Sequence, residues 1–307
     1  MSTADAEPLP PPPPAPANPA RETRLGVVYG VAAYLWGGLS IFYFKALAHV
    51  QALEILAHRI AWSVPLLLGW LAWRGRLGAL RPALRSRRTL LTLLATTALI
   101  GTNWLLFILA VTTGWVVEAS LGFYIGLLVN VLFGMVFLRE RLRPAQWASV
   151  LLAGAGVTYL AASFGRFPFF ALVLAVNSGF YSLLRKTVPA DSPTGLTVET
   201  SLLLPAALGY LGFRAARGDL AFGSDLPTTA LLLLAGIVTS LPLLWFADAV
   251  RRLRLATIGF IQYLSPTIQL LVAVALYGEP FTRTHQVTFG CIWIALASYS
   301  VDAWRHR

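Results

Sequence analysis

The amino-acid sequence predicts an all-α integral membrane fold, ten transmembrane helices in two inverted five-helix repeats. Three observations lead there. The chain is 57% hydrophobic and only 12% charged, whereas an ordinary soluble domain carries about a quarter charged residues, so there is too little polar surface to cover it. The charges cluster and leave apolar stretches of roughly 20 residues, which at about 1.5 Å per residue match a hydrocarbon core of about 30 Å. The pattern of these stretches also repeats halfway along the chain.

Taken in order, the first span, 24–46, follows Arg21 and Arg24 and closes at Lys45. The second, 53–73, opens on Glu54, His58 and Arg59 and stops at Arg74, the start of a basic connection that runs to Arg88. The third, 88–110, and the fourth, 114–138, come before Arg139, Arg141 and Arg143; the fifth, 144–163, stops short of Arg166. The sixth, 167–186, ends on Arg185 and Lys186, and the seventh, 195–214, on Arg214. The eighth, 228–247, meets a polar turn at Asp248, Arg251, Arg252 and Arg254, which reads as solvated and outside any site. The ninth, 255–277, contains Pro266 and closes before Glu279, and the tenth, 284–304, lies between Arg283 and Arg305.

If the N-terminus is cytoplasmic, 18 of the 24 Lys and Arg residues fall on the cytoplasmic side and 6 on the other. That is the asymmetry of the positive-inside rule, so the net charge of +11 is a topology signal and the C-terminus is cytoplasmic too. A nucleic-acid partner would need a basic face with stacking aromatics on a soluble module, and the sequence has none. Residues 1–23, dominated by Pro8 and Pro10 to Pro14, read as a disordered proline-rich tail rather than a signal peptide. Cys291 is the only cysteine, which excludes intrachain disulfides and cysteine-clustered metal sites.

Placing 124–142 over 263–281, an offset of 139, aligns Tyr124 with Tyr263, Asn130 with Gln269 and Glu140 with Glu279. At an offset of 141, Gly38 falls on Gly179 and Lys45 on Lys186. The halves are then 24–163 and 167–304. An odd number of spans per half makes the second copy enter from the opposite side, the arrangement of alternating-access transporters.

Polar side chains at membrane depth need a partner, a cavity or an interface. Trp36 and Ser40 share a face of the first span, and Asn177 and Tyr181 a face of the sixth. Gln262, Pro266 and Gln269 share a polar, kinkable face of the ninth with Ser265, where Pro266 frees a backbone carbonyl. On the fourth span, Gly126 is a hinge candidate, yet Gly122 and Gly126 also form a G-x-x-x-G contact pattern. Asn130 is open to cavity lining and to interhelical hydrogen bonding alike. Glu54 and His58 are one turn apart and close enough to pair, while Arg59 either snorkels outward as an anchor or forms part of a proton- or anion-responsive site. Asn103, Glu118 and Glu199 are rare polar placements in apolar runs; the two carboxylates suit a coupling proton, a cationic substrate or headgroup level.

The runs Ala52-Leu-Glu-Ile-Leu-Ala-His-Arg-Ile60, Gly101-Thr-Asn-Trp-Leu-Leu-Phe107, Val117-Glu-Ala-Ser-Leu-Gly-Phe-Tyr124 and Arg252-Leu-Arg-Leu-Ala-Thr-Ile-Gly-Phe260, followed by Gln262-Tyr263, resemble the RarD proteins of the EamA group in the drug/metabolite transporter superfamily. The resemblance runs from about Gly26 to Asp302. It implies a bacterial inner-membrane protein with a central cavity, efflux of a small solute, and an association with chloramphenicol sensitivity carried by the family's name. Glu54, His58, Arg59, Asn103, Glu118, Ser120, Glu199, Gln262 and Pro266 match the family pattern. In the fourth span this chain has Gly126-Leu127 where the family usually has Asn-Pro, so the first repeat lacks its proline hinge.

The expectation is a secondary transporter for a small organic metabolite or drug-like solute, with protons as the coupling option. It needs no cofactor or metal, has no catalytic residue and, lacking a Walker motif, no direct ATP drive. Its partners are the lipid bilayer and the solute. A facilitative pore or a membrane receptor is the alternative reading. A membrane enzyme acting on lipid-linked substrates would need clustered carboxylates or histidines at one interface, which the sequence does not show.

Overall fold

The computed structural model describes residues 19–138, 142–164, 168–188, 190–250, 252–253, 257–258 and 261–305. The proline-rich segment up to residue 18 lies outside them, as does Glu140, one member of the repeat alignment. Among the described residues the regular elements are helical: α1 Pro19–Ala46, α2 Ala52–Trp73, α3 Leu80–Arg85, α4 Arg87–Thr112, α5 Val116–Leu138, α6 Pro144–Phe164, α7 Phe169–Thr187, α8 Ser192–Ala216, α9 Leu226–Val250, α10 Leu264–Ala275 and α11 Arg283–Arg305. A 3-10 turn over Leu77–Ala79 precedes the short α3. Ten of these helices match the ten expected stretches, and six are long and apolar enough to cross a membrane by length and composition.

Two boundaries differ from expectation for local reasons. The tail was expected to reach residue 23, but α1 starts at Pro19, where a missing N–H costs a helix nothing, and Glu22 in its first turn accepts from Arg252 Nε at 3.0 Å. The ninth stretch was expected to run unbroken from residue 255; Thr257, Ile258 and Ile261 are helical, but the helix breaks at Gln262 and Tyr263 and resumes as α10 at Leu264, because Pro266 cannot donate to the carbonyl of Gln262. Helical bonding resumes with Thr267 N–H to the Tyr263 carbonyl at 3.2 Å. At 12 residues, α10 spans only about 18 Å.

The principal packed pairs are α1 and α2 on α9, α4 on α7 and α8, α2 on α8, α1 on α10, α5 on α7 and α10, and α6 on α11. Lipid tails are as apolar as leucine, so helices in a bilayer associate by close packing rather than by exclusion from water. Glycines supply that closeness here. A Cβ at Gly122 would lie 2.8 Å from the Ala171 carbonyl oxygen, one at Gly38 2.8 Å from Ile268, and one at Gly179 2.7 Å from Val129. At Gly236 on α9 it would lie 2.5 Å from the backbone of Trp62 on α2. The interior between the helices is filled by Ile41, Ile55, Ile108, Tyr124, Leu174, Leu232 and Phe289, each almost wholly buried.

Ion pairs fasten the helix ends. Arg74 after α2 and Arg252 after α9 both reach Asp248, at 3.4 and 3.2 Å, Arg76 reaches Asp191 at 3.1 Å, and Arg143 reaches Asp302 at 3.5 Å. Asp248 was expected in a solvated turn; it lies instead in the last turn of α9, its side chain mostly covered by the two arginines.

Because the atoms facing Gly236 are backbone, which cannot swing aside as a side-chain tip does, Gly236→Ala should separate α2 from α9. The expected loss is about 1–3 kcal/mol, read as a lower unfolding temperature in a fixed detergent. An unchanged unfolding temperature would show that the two helices are not in the contact described.

Candidate functional site

A cavity of about 420 Å³ opens between α1, α2, α4, α5, α9 and the ninth stretch. Its size is within the range of about 300–1,000 Å³ typical of small-molecule sites. Six of the sequence-predicted residues line it: Ser40, Arg59, Asn103, Gln262, Pro266 and Gln269. The Gln269 amide donates to the Gly37 carbonyl at 3.2 Å and leaves its own oxygen buried without a partner among the described residues, and Ser40 Oγ donates to the same carbonyl at 2.7 Å. Asn103 Nδ2 donates to Ser178 Oγ at 3.0 Å, which fixes the amide between α4 and α7. The Pro266 carbonyl accepts from Ser120 Oγ at 2.7 Å, so the interrupted segment is held against α5.

Arg59 does not snorkel outward. Its guanidinium lies over the Trp104 ring, 4.3 Å from the centroid, and 5.8 Å from that of Phe44, and its Nε is buried with no hydrogen-bond partner among the described residues. Nor do Glu54 and His58 pair. Glu54, fully buried, accepts from the backbone N–H groups of Ala221 and Phe222 at 2.7 and 3.2 Å and faces Arg214 at 3.7 Å. His58 Nδ1 accepts from Trp62 Nε1 at 3.2 Å, and its ring stacks on Phe222. The segment after α8 folds back over the start of α2 and competes successfully for both side chains.

The other predicted residues lie off the main cavity. Trp36 Nε1 donates to the Val238 carbonyl at 3.2 Å and its ring meets Trp245 edge-on. Glu199 is fully buried: Thr96 Oγ1 donates to it at 2.6 Å, the Tyr181 hydroxyl at 3.0 Å, and Arg185 Nε lies 3.7 Å away. Asn130 and Asn177 each bury an amide oxygen without a partner among the described residues. Gly126 sits in the unbroken α5, where a Cβ would lie 3.7 Å from Ala175 Cα on α7. Glu118 lines a second cavity of about 150 Å³ together with Glu279 and His285. There the Val117 N–H donates to Glu279 at 2.9 Å and Lys45 approaches it to 3.9 Å.

Sequence reasoning missed the aromatic wall of the main cavity, formed by Tyr34, Phe44, Trp104, Phe107 and Phe123. In an apolar span an aromatic that faces lipid and one that faces a cavity look alike. It also missed Thr239 and Pro242 on α9; a proline inside a span was the available signal, as it was for Pro266.

Fold and site together define a helical membrane protein with an internal, aromatic-walled and amide-studded cavity. The family model of the EamA-like transporter family matches residues 24–162. An uncharacterized transporter of Vibrio cholerae is 44% identical over 92% of this chain and 94% of its own length, and the Escherichia coli protein RarD is 42% identical over 92% and 96%. The chain belongs to the EamA-like transporter family, within the drug/metabolite transporter superfamily and among its RarD members. A more distant relative, the chloramphenicol-sensitive protein RarD of Pseudomonas aeruginosa, is 30% identical over 91% of this chain and 95% of its own length. One solved crystal structure shares the fold with a TM-score of 0.58 at 21% identity, covering 91% of this chain and 97% of that one.

Removing one partner of a buried ion pair leaves the other charge uncompensated. Glu199→Ala should therefore cost about 3 kcal/mol, and Tyr181→Phe about 1 kcal/mol, in reversible unfolding in bicelles. Equal, small effects of the two substitutions would show that Arg185 does not depend on Glu199.

Proposed function

We propose that this protein is a secondary transporter and not an enzyme. It moves a small organic solute through the 420 Å³ cavity by alternating access, its ten helices spanning the bacterial inner membrane as two inverted repeats, 24–163 and 167–304. Both termini are cytoplasmic in this reading, in keeping with the 18 to 6 distribution of basic residues. Relatives of matching length are named transporters, which supports the class of activity.

The observation that carries the mechanism is that the packing exchanges between halves. Exchanging α1, α2, α4, α5 and α6 for α7, α8, α9, α10 and α11 turns α1 on α9 into α7 on α4, α2 on α9 into α8 on α4, and α1 on α10 into α7 on α5, while α2 on α8, α5 on α10 and α6 on α11 map onto themselves. The correspondence reaches single residues. Gly38 closes on Ile268 and Gly179 on Val129, and these residues are related by the offsets of 141 and 139 found in the sequence. Tyr124 and Tyr263, also mates, stack on each other with centroids 6.2 Å apart. Two inverted copies can interconvert by each adopting the other's conformation, which opens the cavity to alternate sides. Pro266, with its interrupted helix beside the cavity, and Gly126 on α5 are the pliable points of this reading.

For coupling, Glu118 in the smaller cavity is the predicted carboxylate best placed to exchange a proton with one side of the membrane, and His58 the second candidate. Solute accumulation in proteoliposomes under an imposed pH gradient, with a metabolite panel, tests the proposal. Ile100→Trp, which adds bulk to the cavity wall, should cut flux at least about tenfold in folded protein. Glu118→Gln should abolish gradient-driven accumulation while leaving equilibration, and His58→Ala should leave accumulation in place if Glu118 alone carries the proton. Flux untouched by Ile100→Trp would place the pathway elsewhere, and equilibration without accumulation in the intact protein would favour a facilitative pore.

A further inference from the structure

Among the described residues that line the main cavity, Arg59 is the only one with a formal charge. Among the described residues, two other largely covered arginines are answered by carboxylates: Arg185 by Glu199 at 3.7 Å and Arg214 by Glu54 at 3.7 Å. Arg59 has no carboxylate partner among the described residues. Its guanidinium is held over Trp104, with Phe44 farther off, and Nε is left without an acceptor among the described residues. A cation at membrane depth is stable when it is paired or faces a wet cavity, and a ring face satisfies the guanidinium plane but not its N–H edge. That edge is a fork of donors matched to two oxygens of one anion.

We infer that the cavity binds a small organic oxyanion, a carboxylate, sulfonate or phosphate on an aromatic or other apolar body, with Arg59 as its counter-charge. The inference deepens the transport reading and rests on it for the meaning of the cavity. The apolar body has Phe107 and Phe123 to pack against, and Asn103 and Gln262 can fix its orientation without adding charge. A cationic solute of the same shape meets an uncompensated positive group and is rejected. The same electrostatics explains why the cavity can lack an acidic residue: the solute itself supplies the negative charge, and bound and empty states then differ in charge, which gives the two conformations of a transporter something to distinguish.

The test uses full-length protein in nanodiscs and probes of one shape that differ in charge: naphthoate, naphthalenesulfonate and naphthyl phosphate as anions, naphthamide as the neutral analogue, naphthylmethylammonium as the cation. Equilibrium binding should favour at least one anion over naphthamide by about tenfold or more, with the cation weakest, and the ranking of the three anions identifies the oxyanion. Arg59→Gln should reduce the anion-to-amide ratio about tenfold, and Arg59→Lys should keep the preference at lower affinity because the point charge survives without the fork. Equal binding of anion, amide and cation, absence of anion binding, or an unchanged ratio in Arg59→Gln would overturn the inference. Should Arg59→Gln not fold, the charge ranking in the intact protein and in Arg59→Lys decides. Flux of the same probes separates this inference from the one beneath it. Anion-selective binding without movement leaves the site standing and overturns transport, whereas movement of the cation or amide with no anion binding does the reverse.

Discussion

Close approach of helix backbones at glycine is the constraint on which the remaining structure depends. In lipid an apolar side chain gains little by leaving the solvent, so dispersion contacts must be made at short range to hold helices together. Gly38, Gly122, Gly179 and Gly236 allow that range on α1, α5, α7 and α9, and each faces atoms that would overlap a Cβ. The main cavity lies among these closely packed helices, lined from α1, α2, α4, α5, α9 and the ninth stretch.

Polar groups divide along the same lines. Glu54 and Glu199 are fully buried, each facing an arginine and accepting hydrogen bonds from neighbouring elements. They hold helices in register and lie off the main cavity. Ser40, Asn103, Gln262 and Gln269 are different, since they line open volume and their interactions hold the wall in shape. Arg59 belongs with neither group, being placed by aromatic rings rather than by a carboxylate.

Helix positions were legible because apolar length and charge clustering act locally: expected and observed ends of α2, α5, α6 and α11 agree to within two residues. The early start of α1 at Pro19 and the break in the ninth stretch before Leu264 both turn on proline, whose effect depends on whether it sits in a first turn or within a ladder. Among cavity-lining residues, the polar face of the ninth stretch was readable from its periodicity, Ser40 from the face it shares with Trp36 and Asn103 from its rarity in an apolar run, whereas Arg59 was open between an anchor and a site. The aromatic wall was not, because aromatics are unremarkable in any membrane helix.

The sequence by itself determined the membrane setting and the order of the helices, since each follows from composition or from residues near one another in the chain. Only the tertiary structure decided which polar side chains are used up. His58 was drawn under Phe222 by a loop 164 residues away, Glu199 was taken by Thr96 and Tyr181 from two other helices, and Arg59 was left facing the cavity. A side chain's availability is a property of what surrounds it, and those surroundings come from distant parts of the chain that periodicity along one helix does not encode.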